Sequence, residues 1–257
     1  LYTDHTGAFP CISGSGNRYQ MILYHVDSNT IWVEPFKNKT EGQLINARAN
    51  ALHRMSLAGI IPKHQILDNE ASKAYKEAIR LSGMTYQLVP PDEHRRNVAE
   101  RMIQTWKNHF VAVLSGTDDN FPLHLWDKII PQAEKQLWLL RQSNTNPKVS
   151  AYSHVHGHHN YNALPFVPIG MQTIVHEKSS KRGTWSQHGV KGYVLGTSYE
   201  HYRNWIAYCT KSRGVRVSGK MFFKHKYLTN PSVTTGDVVC QAAYNLTKTL
   251  KKNIPEY

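Results

Sequence analysis

The sequence is poor in cysteine and has no long hydrophobic run. Its three cysteines, Cys11, Cys209 and Cys240, are far apart and odd in number, so they favour neither a disulfide framework nor a Cys-x-x-Cys metal site. The longest apolar runs, such as residues 110–114, are too short to span a bilayer, and the first residues lack the pattern of a signal peptide. We therefore expect a reducing intracellular environment and no membrane partner. The first residue is not methionine, which indicates a piece of a longer protein.

Acidic residues are also scarce. The 257 residues include 18 Asp and Glu against 31 Lys and Arg, which gives a formal net charge of +13 and a sequence pI of about 9.6. This excess of positive charge indicates a polyanionic partner, although a basic surface that only confers solubility would give the same balance. With 40% hydrophobic and 11% aromatic residues, the composition argues against intrinsic disorder and against a fibrous repeat.

Hydrophobic periodicity predicts strands and helices in the first half of the chain. Runs rich in β-forming residues predict strands, and apolar residues at three- and four-residue intervals predict amphipathic helices. The predicted order is β-ββ-α-β-α-β-α, with strands at 1–4, 19–26, 30–36, 64–69 and 85–90 and helices at 43–58, 71–81 and 97–114. A further helix at 122–141 contains Pro131, where we expect a kink. Its predicted inward-facing apolar stripe consists of Trp126, Ile129, Ile130, Ala133, Leu137 and Leu140.

The second half of the chain has a different character. Residues 144–170 are polar and broken by Asn, Pro and Gly, which predicts a connector, and from Thr173 short β-rich runs return at spacings typical of a small barrel or sandwich. The window 173–228 holds eleven Lys and Arg against two acidic residues. Its aromatic residues suit stacking on nucleic acid or, equally, the core of a small barrel. They are Trp185, Tyr193, Tyr199, Tyr202, Trp205 and Tyr208.

Three carboxylates lie where a metal site could be built. Asp4 ends the first predicted strand, Asp68 ends the fourth, and Glu100 lies in the first turn of the helix at 97–114. Sites in open α/β sheets form at the carboxyl ends of strands, and carboxylates that converge in a basic protein indicate Mg²⁺. Each residue alone also has an ordinary explanation: a turn residue, an Asx-turn acceptor or a charge at a helix start.

The helix that carries Glu100 has a polar face beside its apolar stripe. The residues on this face are Asn97, Glu100, Gln104 and Lys107. Cationic donors precede the helix at its N-terminal end, where free backbone amides also favour phosphate. These donors are His94, Arg95 and Arg96.

Blocks spread over nearly the whole chain resemble the integrase region of copia-type LTR retrotransposon Pol polyproteins. They are TDHTGAFP, ILDN, HRRNVAERMIQTWKNHF, PLHLWDKIIPQAEKQLWLLR, NPKVSAY, VHEKSSKRGTW, HGVKGYVLG and EHYRNW. The resemblance implies an α/β, RNase H-like integrase catalytic core, with a mixed sheet flanked by helices, followed by a small and mostly β SH3-like barrel. The implied boundaries are a core at 1–145, a connector at 146–170, a basic SH3-like region at 171–235 and a tail at 236–257.

The resemblance also implies a metal-dependent enzyme that transfers DNA strands. Asp4, Asp68 and Glu100 would be the Asp, Asp and Glu ligands of Mg²⁺ or Mn²⁺. The residues that would contact DNA are His94, Arg95, Arg96, Asn97, Gln104, Lys107, Lys181 and Arg182. Asp68 and Glu100 are 32 residues apart, a few residues fewer than is commonest in the family, and the Asn-Gly often found before the glutamate's turn is absent.

The partners implied by the resemblance are the DNA ends of the element, target DNA and further copies of the chain. No small-molecule cofactor is implied, and the location would be the nucleus, with a cytoplasmic particle stage. The zinc domain usual at the N-terminus of such integrases is not in this sequence.

Other interpretations stay open at this point. The chain could be a decayed fragment that only binds nucleic acid, or a related RNase H-like nuclease or transposase that uses the same metals. The histidines His154, His156, His158 and His159 are a weak metal candidate, because no cysteine lies nearby and their spacing fits no zinc-finger class. Cys11 has no histidine partner at a spacing that indicates a nucleophile.

Overall fold

The computed structural model describes residues 1–69, 71–90, 98–224 and 235–252. The chain divides into two compact units, residues 1–223 and residues 224–257. The first unit contains all the candidate carboxylates and both sheets, apart from Lys224 at the end of the last strand.

A five-stranded mixed sheet of order β3-β2-β1-β4-β5 begins the first unit. Its strands are β1 (Tyr2–His5), β2 (Tyr19–His25), β3 (Thr30–Phe36), β4 (His64–Leu67) and β5 (Thr85–Leu88). β1, β2 and β3 are antiparallel neighbours, whereas β4 runs parallel to β1 and β5 runs parallel to β4. The predicted α/β fold, with a mixed sheet flanked by helices, is confirmed.

Helices cover both faces of this sheet. They are α1 (Glu41–Leu57), α2 (Lys73–Leu81), α3 (Val98–Ser115), α4 (Trp126–Leu140) and α5 (Ala151–His156). Met21 and Leu23 of β2 pack in the hydrophobic cluster that contains α1 and α2, while Ile22 packs in the cluster that contains α3 and α4. β2 is apolar along nearly its whole length because both of its faces are buried.

The helix predicted at 122–141 begins later than expected. A short 3₁₀ helix at Leu123–Leu125 precedes α4, and Pro131 lies inside α4. Most of the predicted apolar stripe is buried, but Leu140 is 77% exposed. Leu140 is the last residue of α4, and the backbone becomes extended at Arg141, so the predicted inward position of Leu140 is wrong.

A second five-stranded sheet follows in the same unit. Its strands are β6 (Gln172–His176), β7 (Gly189–Thr197), β8 (Trp205–Cys209), β9 (Gly214–Ser218) and β10 (Met221–Lys224). β6 to β9 form an antiparallel meander, and β10 returns to lie beside β6. The structure thus has a β region where a mostly β region was predicted.

α4 lies between the two sheets. It packs against β3 on one side and β7 on the other, and Tyr193 and Leu195 of β7 belong to the same cluster as α3 and α4. A Cβ atom at Gly196 would lie 2.9 Å from Gln132 Cβ, so glycine permits the close approach of β7 to α4.

The segment 146–170, predicted to be a connector, contains α5. The Ser150 hydroxyl caps this helix by accepting a hydrogen bond from the Ser153 backbone N–H at 3.0 Å, and Ala151 and Tyr152 are buried in the cluster of α1 and α2. α5 is only six residues long, too short to show a helical period in the sequence. The predicted domain boundaries stay predictions.

The second unit contains α6 (Thr235–Lys252). Within the described residues, no helix is long and apolar enough to cross a membrane.

Candidate active site

Two of the three candidate carboxylates lie at the carboxyl ends of neighbouring strands. Tyr2 of β1 pairs with Ile66 of β4 in parallel register, and continuing this register by two residues sets Asp4 opposite Asp68. Side chains two residues apart along a strand share a face, and neighbouring strands are about 4.8 Å apart. The pairing of β1 with β4 therefore brings the two aspartates to one edge of the sheet.

The backbone next to each aspartate holds its carboxylate. Asp4 Oδ1 accepts a hydrogen bond from the His5 backbone N–H at 2.7 Å and lies 3.3 Å from His5 Nδ1. Asp68 Oδ1 accepts one from the Asn69 backbone N–H at 2.7 Å. The Asp4 side chain is 25% exposed. Since a carboxylate has about four lone-pair positions, both groups keep acceptor capacity for a further ligand.

Asp4 and Asp68 also flank the point where the strand order reverses. From β1 the chain continues to β2 on one side, and from β4 it continues to β5 on the other side. Such a reversal opens a crevice outside the carboxyl ends of the two strands, which is where open α/β sheets bind ligands.

Glu100 lies in the first turn of α3 and is exposed. α3 packs against β1 and β2. Asp4 pairs with Ile22, whose side chain lies in the cluster that contains α3, so Asp4 is on the sheet face that α3 covers. Among the described residues, no three His, Cys, Asp or Glu side chains lie close enough together to hold a metal ion. In this structure Glu100 therefore does not form one cluster with the two aspartates.

The predicted DNA-contacting residues of α3 form an exposed strip with Glu100. Gln104 and Lys107 are both exposed, and Gln104 Nε2 donates a hydrogen bond to Asn108 Oδ1 at 2.9 Å. Four further predicted contacts lie outside the described residues. They are His94, Arg95, Arg96 and Asn97.

A cavity of about 300 Å³ opens beside the two aspartates. His5, Lys39 and Glu41 line it together with Asp4 and Asp68. Sequence reasoning did not identify His5, Lys39 or Glu41. Glu41 lies in the first turn of α1, and a carboxylate there resembles an ordinary helix-start charge.

Buried hydrogen bonds tie α1 to β4 and β1 beneath this cavity. Arg48 Nε donates to Gln65 Oε1 at 2.8 Å, and Gln65 Nε2 donates to Thr3 Oγ1 at 2.7 Å. Burial lowers the pKa of Arg48 and raises the pKa of Tyr75, which also hydrogen-bonds to Gln65 and Thr3. These contacts fix the spacing of β1 and β4 just before Asp4 and Asp68.

The second sheet has its own basic cavity. Lys181 ends a 3₁₀ helix at Ser179–Lys181, and the next residue, Arg182, lines a cavity of about 580 Å³ together with Lys191 and Lys211. Within the described part of the chain, the buried Arg182 Nε has no hydrogen-bond partner. The cavity therefore combines three cationic side chains with an unsatisfied donor.

The aromatic residues of the second half divide between the two roles considered from the sequence. Tyr193 is buried in the core, and Trp205 Nε1 donates to the Pro165 carbonyl at 3.1 Å. Trp185 is 99% exposed, and Tyr199 and Tyr202 are also exposed. Only the exposed rings could stack on nucleic acid.

Three of the four histidines between residues 154 and 159 contact other side chains. His154 Nδ1 lies 2.8 Å from Ser143 Oγ, the His156 ring stacks on Trp138, and the buried His159 ring stacks on Phe166. Burial lowers the pKa of His156 and His159. In the described residues these histidines do not form a metal site.

Comparisons with known proteins find similarity at the level of structure. No family model matches the chain, and no curated protein matches it. Similar solved structures include the catalytic core domain of BIV integrase, with 13% identity, 60% of this chain and 91% of that chain covered and a TM-score of 0.43. The HTLV-2 integrase catalytic core domain in complex with magnesium, in a trimeric form, has 20% identity, coverage of 60% and 94% and a TM-score of 0.45.

A simian T-cell lymphotropic virus intasome in complex with PP2A regulatory subunit B56 gamma is similar over more of the chain. The sequence identity is 13%, the match covers 88% of this chain and 75% of the chain in that intasome, and the TM-score is 0.46. Since all three TM-scores are below 0.5, the case for a function rests on the residues of this chain.

Proposed function

We propose that this chain is the integrase region of a copia-type LTR retrotransposon Pol polyprotein and that it joins DNA ends to target DNA by metal-dependent phosphodiester transfer. What supports the proposal is the parallel pairing of Tyr2 of β1 with Ile66 of β4, which, continued by two residues, brings Asp4 and Asp68 to one edge of the sheet, where both line the same cavity. Glu100 lies in the first turn of the helix that covers the sheet face of Asp4, and it completes the proposed Asp, Asp and Glu set.

The donor groups fit Mg²⁺ or Mn²⁺, since carboxylate oxygens are what such hard cations prefer. Asp4, Asp68 and Glu100 would hold the metal, with Glu100 joining the two aspartates when metal and DNA are bound. The chemistry that the bound metal would supply there is activation of the attacking hydroxyl and stabilisation of the leaving oxygen.

The exposed strip of α3 positions the DNA end in this proposal. Lys107 neutralises a phosphate, and Gln104 donates to or accepts from the same strand. The cationic donors before α3 hold the neighbouring phosphates. These donors are His94, Arg95 and Arg96, and the sequence adds Asn97 to the predicted contacts.

The second sheet supplies a further DNA contact in this proposal. Its meander of four strands, with β10 returning to β6, favours an SH3-like region. Lys181 and Arg182 would bind phosphate there, supported by Lys191 and Lys211, which share the basic cavity with Arg182. The working form would be an oligomer that acts in the nucleus after a cytoplasmic particle stage.

A strand-transfer assay tests the proposal. A labelled oligonucleotide that carries the element's end is incubated with plasmid DNA and Mg²⁺ or Mn²⁺, using the wild type, Asp68→Asn and Asp27→Asn. Asp27 is a control because its side chain is 74% exposed and lies in the turn between β2 and β3. Joined product in the wild type and in Asp27→Asn, but not in Asp68→Asn, supports the transferase.

The same assay distinguishes the transferase from the two alternative functions, a nuclease or transposase and a DNA-binding module. Cleavage of DNA without joining would favour an RNase H-like nuclease or transposase. DNA binding with a steep salt dependence and no cleavage would favour a basic binding module.

A further inference from the structure

The backbone pairing of β1 with β4 ends before it reaches the two aspartates. In the part of the chain that the structure describes, the register of these strands has one pair, Tyr2 with Ile66. The His5 backbone N–H would be the next donor from β1 to β4 in a parallel ladder, but it donates to the Asp4 carboxylate at 2.7 Å. The separation of Asp4 and Asp68 therefore depends on groups other than the ladder.

Side chains join the two strands where the ladder ends. Gln65 Nε2 donates to Thr3 Oγ1 at 2.7 Å, and Tyr75 of α2 hydrogen-bonds to both residues. Thr3 immediately precedes Asp4 in β1, so its side chain lies on the opposite face of the sheet. Thr3 and Gln65 are 3% and 0% exposed, and buried hydrogen bonds of this kind are not weakened by competing water. This Thr3–Gln65 link lies directly behind the aspartates.

Arg48 fixes the orientation of the Gln65 amide. Arg48 Nε donates to Gln65 Oε1 at 2.8 Å, and because a guanidinium has no acceptor, the amide oxygen must face Arg48. Arg48 Nη2 also donates to the Ser82 hydroxyl at 2.9 Å, at the C-terminal end of α2, where the helix dipole favours a positive charge. The NH2 group of Gln65 is therefore directed at Thr3.

The freedom of two carboxylates to separate affects which divalent ion they bind well. Mg²⁺ requires near-ideal octahedral geometry with oxygen ligands at roughly 2.0–2.1 Å, whereas Ca²⁺ accepts flexible geometries with ligands at roughly 2.3–2.6 Å. Aspartates held at one spacing therefore favour Mg²⁺, and aspartates that can move apart lose this preference. A buried link resists such movement because protein interiors are close-packed.

We propose that Thr3 and Gln65 are positioning residues that make the site of Asp4 and Asp68 selective for Mg²⁺ over Ca²⁺; this rests on the proposed function. Neither residue touches the ion. They hold β1 and β4 at one separation from the face of the sheet opposite the aspartates. Breaking the Thr3–Gln65 link costs affinity for Mg²⁺ and leaves most of the affinity for Ca²⁺.

Calorimetric titration of the protein with Mg²⁺ and, separately, with Ca²⁺ tests this proposal. Thr3→Val removes the hydroxyl and keeps the shape of the side chain. Its affinity for Mg²⁺ is expected to fall about tenfold, as is typical when a group behind a metal ligand is removed. Its affinity for Ca²⁺ is expected to fall by no more than about threefold, because Ca²⁺ tolerates varied geometry. Thr3→Ser keeps the hydroxyl and is expected to keep the wild-type ratio of the two affinities.

Thr30→Val is the matched control for a buried threonine hydroxyl elsewhere in the same sheet. Thr30 of β3 is 0% exposed, and its hydroxyl accepts a hydrogen bond from Trp32 Nε1 at 2.8 Å. This variant is expected to keep the wild-type ratio of affinities. Gln65→Met breaks the Thr3–Gln65 link from β4, is expected to shift the ratio as Thr3→Val does, and serves alone if circular dichroism shows that Thr3→Val does not fold.

The ratio of the two affinities separates positioning from a general structural effect. An unchanged ratio in the folded variants of the link, including an equal fall for both ions, would overturn the proposal and leave the metal site itself standing. No binding of either ion by the wild type would reject the metal site and the positioning role together. A shifted ratio without strand transfer would keep the positioning role and reject the transferase.

Discussion

Lys135 offers a test of the packing between α4 and the second sheet. Its side chain is fully buried. Nζ donates to Thr197 Oγ1 at 2.8 Å and lies 4.4 Å from the centroid of the Tyr199 ring. Burial lowers the pKa of Lys135 from 10.5 to about 8. At about 1.4 kcal/mol for each pKa unit, this corresponds to roughly 3 kcal/mol.

Lys135→Met keeps the length of the side chain and removes the buried charge. The Thr197 hydroxyl keeps its hydrogen bond to Gln132 Oε1 at 3.1 Å. We expect the free energy of unfolding at pH 7 to rise by about 2 kcal/mol, after about 1 kcal/mol is subtracted for the lost hydrogen bond. Urea unfolding measures the change, and Lys128→Met, at an exposed position of α4, is the control with an expected change near zero.

The pH dependence of the free energy of unfolding tests the sign of the contribution that the buried Lys135 charge makes to stability. Between pH 8 and 10.5 the unfolded chain keeps the Lys135 proton while the folded chain has lost it, so the stability of the wild type rises with pH across this window. The advantage of Lys135→Met should therefore shrink as the pH approaches 10. A variant that is less stable than the wild type at pH 7, or whose difference from it stays constant to pH 10, would refute this reasoning.

Two further predictions concern charged groups. Arg54→Ala removes the ion-pair partner of Glu134, and burial raises the pKa of Glu134 to about 7. We expect urea unfolding to show that the free energy of unfolding falls by about 3 kcal/mol at pH 8. The fall should be smaller at pH 5, where Glu134 takes up a proton. An equal loss at both pH values would contradict this cause. Arg182→Gln should make the negative slope of log K against log salt for duplex DNA shallower by about 0.9. Arg80→Gln on α2 is the control and should leave the slope unchanged. Equal slopes for Arg182→Gln and the wild type would show that Arg182 does not contact DNA.

Local sequence patterns predicted most of the strands and helices. The hairpin of β2 and β3 and the buried stripe of α3 follow from β-forming runs and from three- and four-residue spacing, which depend only on neighbours in the chain. The short helix α5 was not predicted, because six residues give too little periodicity. Its N-cap, Ser150, would have been the one local signal.

Buried charges in α4 could not be predicted from the sequence. Glu134 and Lys135 are adjacent and point to different neighbours: Glu134 accepts from the Val33 backbone N–H of β3 at 2.5 Å, and Lys135 reaches Thr197 of β7. A charged pair on an amphipathic helix normally faces solvent. Here α4 packs between two sheets, which is a tertiary arrangement that helical periodicity does not contain.

The candidate site could be predicted only in part from the sequence. Asp4 and Asp68 could be selected because each ends a strand, but their juxtaposition depends on the parallel pairing of β1 with β4, which are separated by more than 50 residues. Two residues that line the cavity, Glu41 of α1 and the N-cap of α2, Ser72, are joined by a hydrogen bond. Such contacts between distant segments leave no periodic signal.

Metal binding is the measurement that tests the central claim most directly. Mn²⁺ is titrated into the protein, and the free ion is followed by electron paramagnetic resonance for the wild type, Asp4→Asn, Asp68→Asn and Glu100→Gln, with Glu77→Gln at an exposed position of α2 as control. We expect the wild type and the control to bind Mn²⁺, and each variant of the proposed ligands to bind it about tenfold or more weakly. Equal binding by all five proteins would contradict a metal site built from Asp4, Asp68 and Glu100.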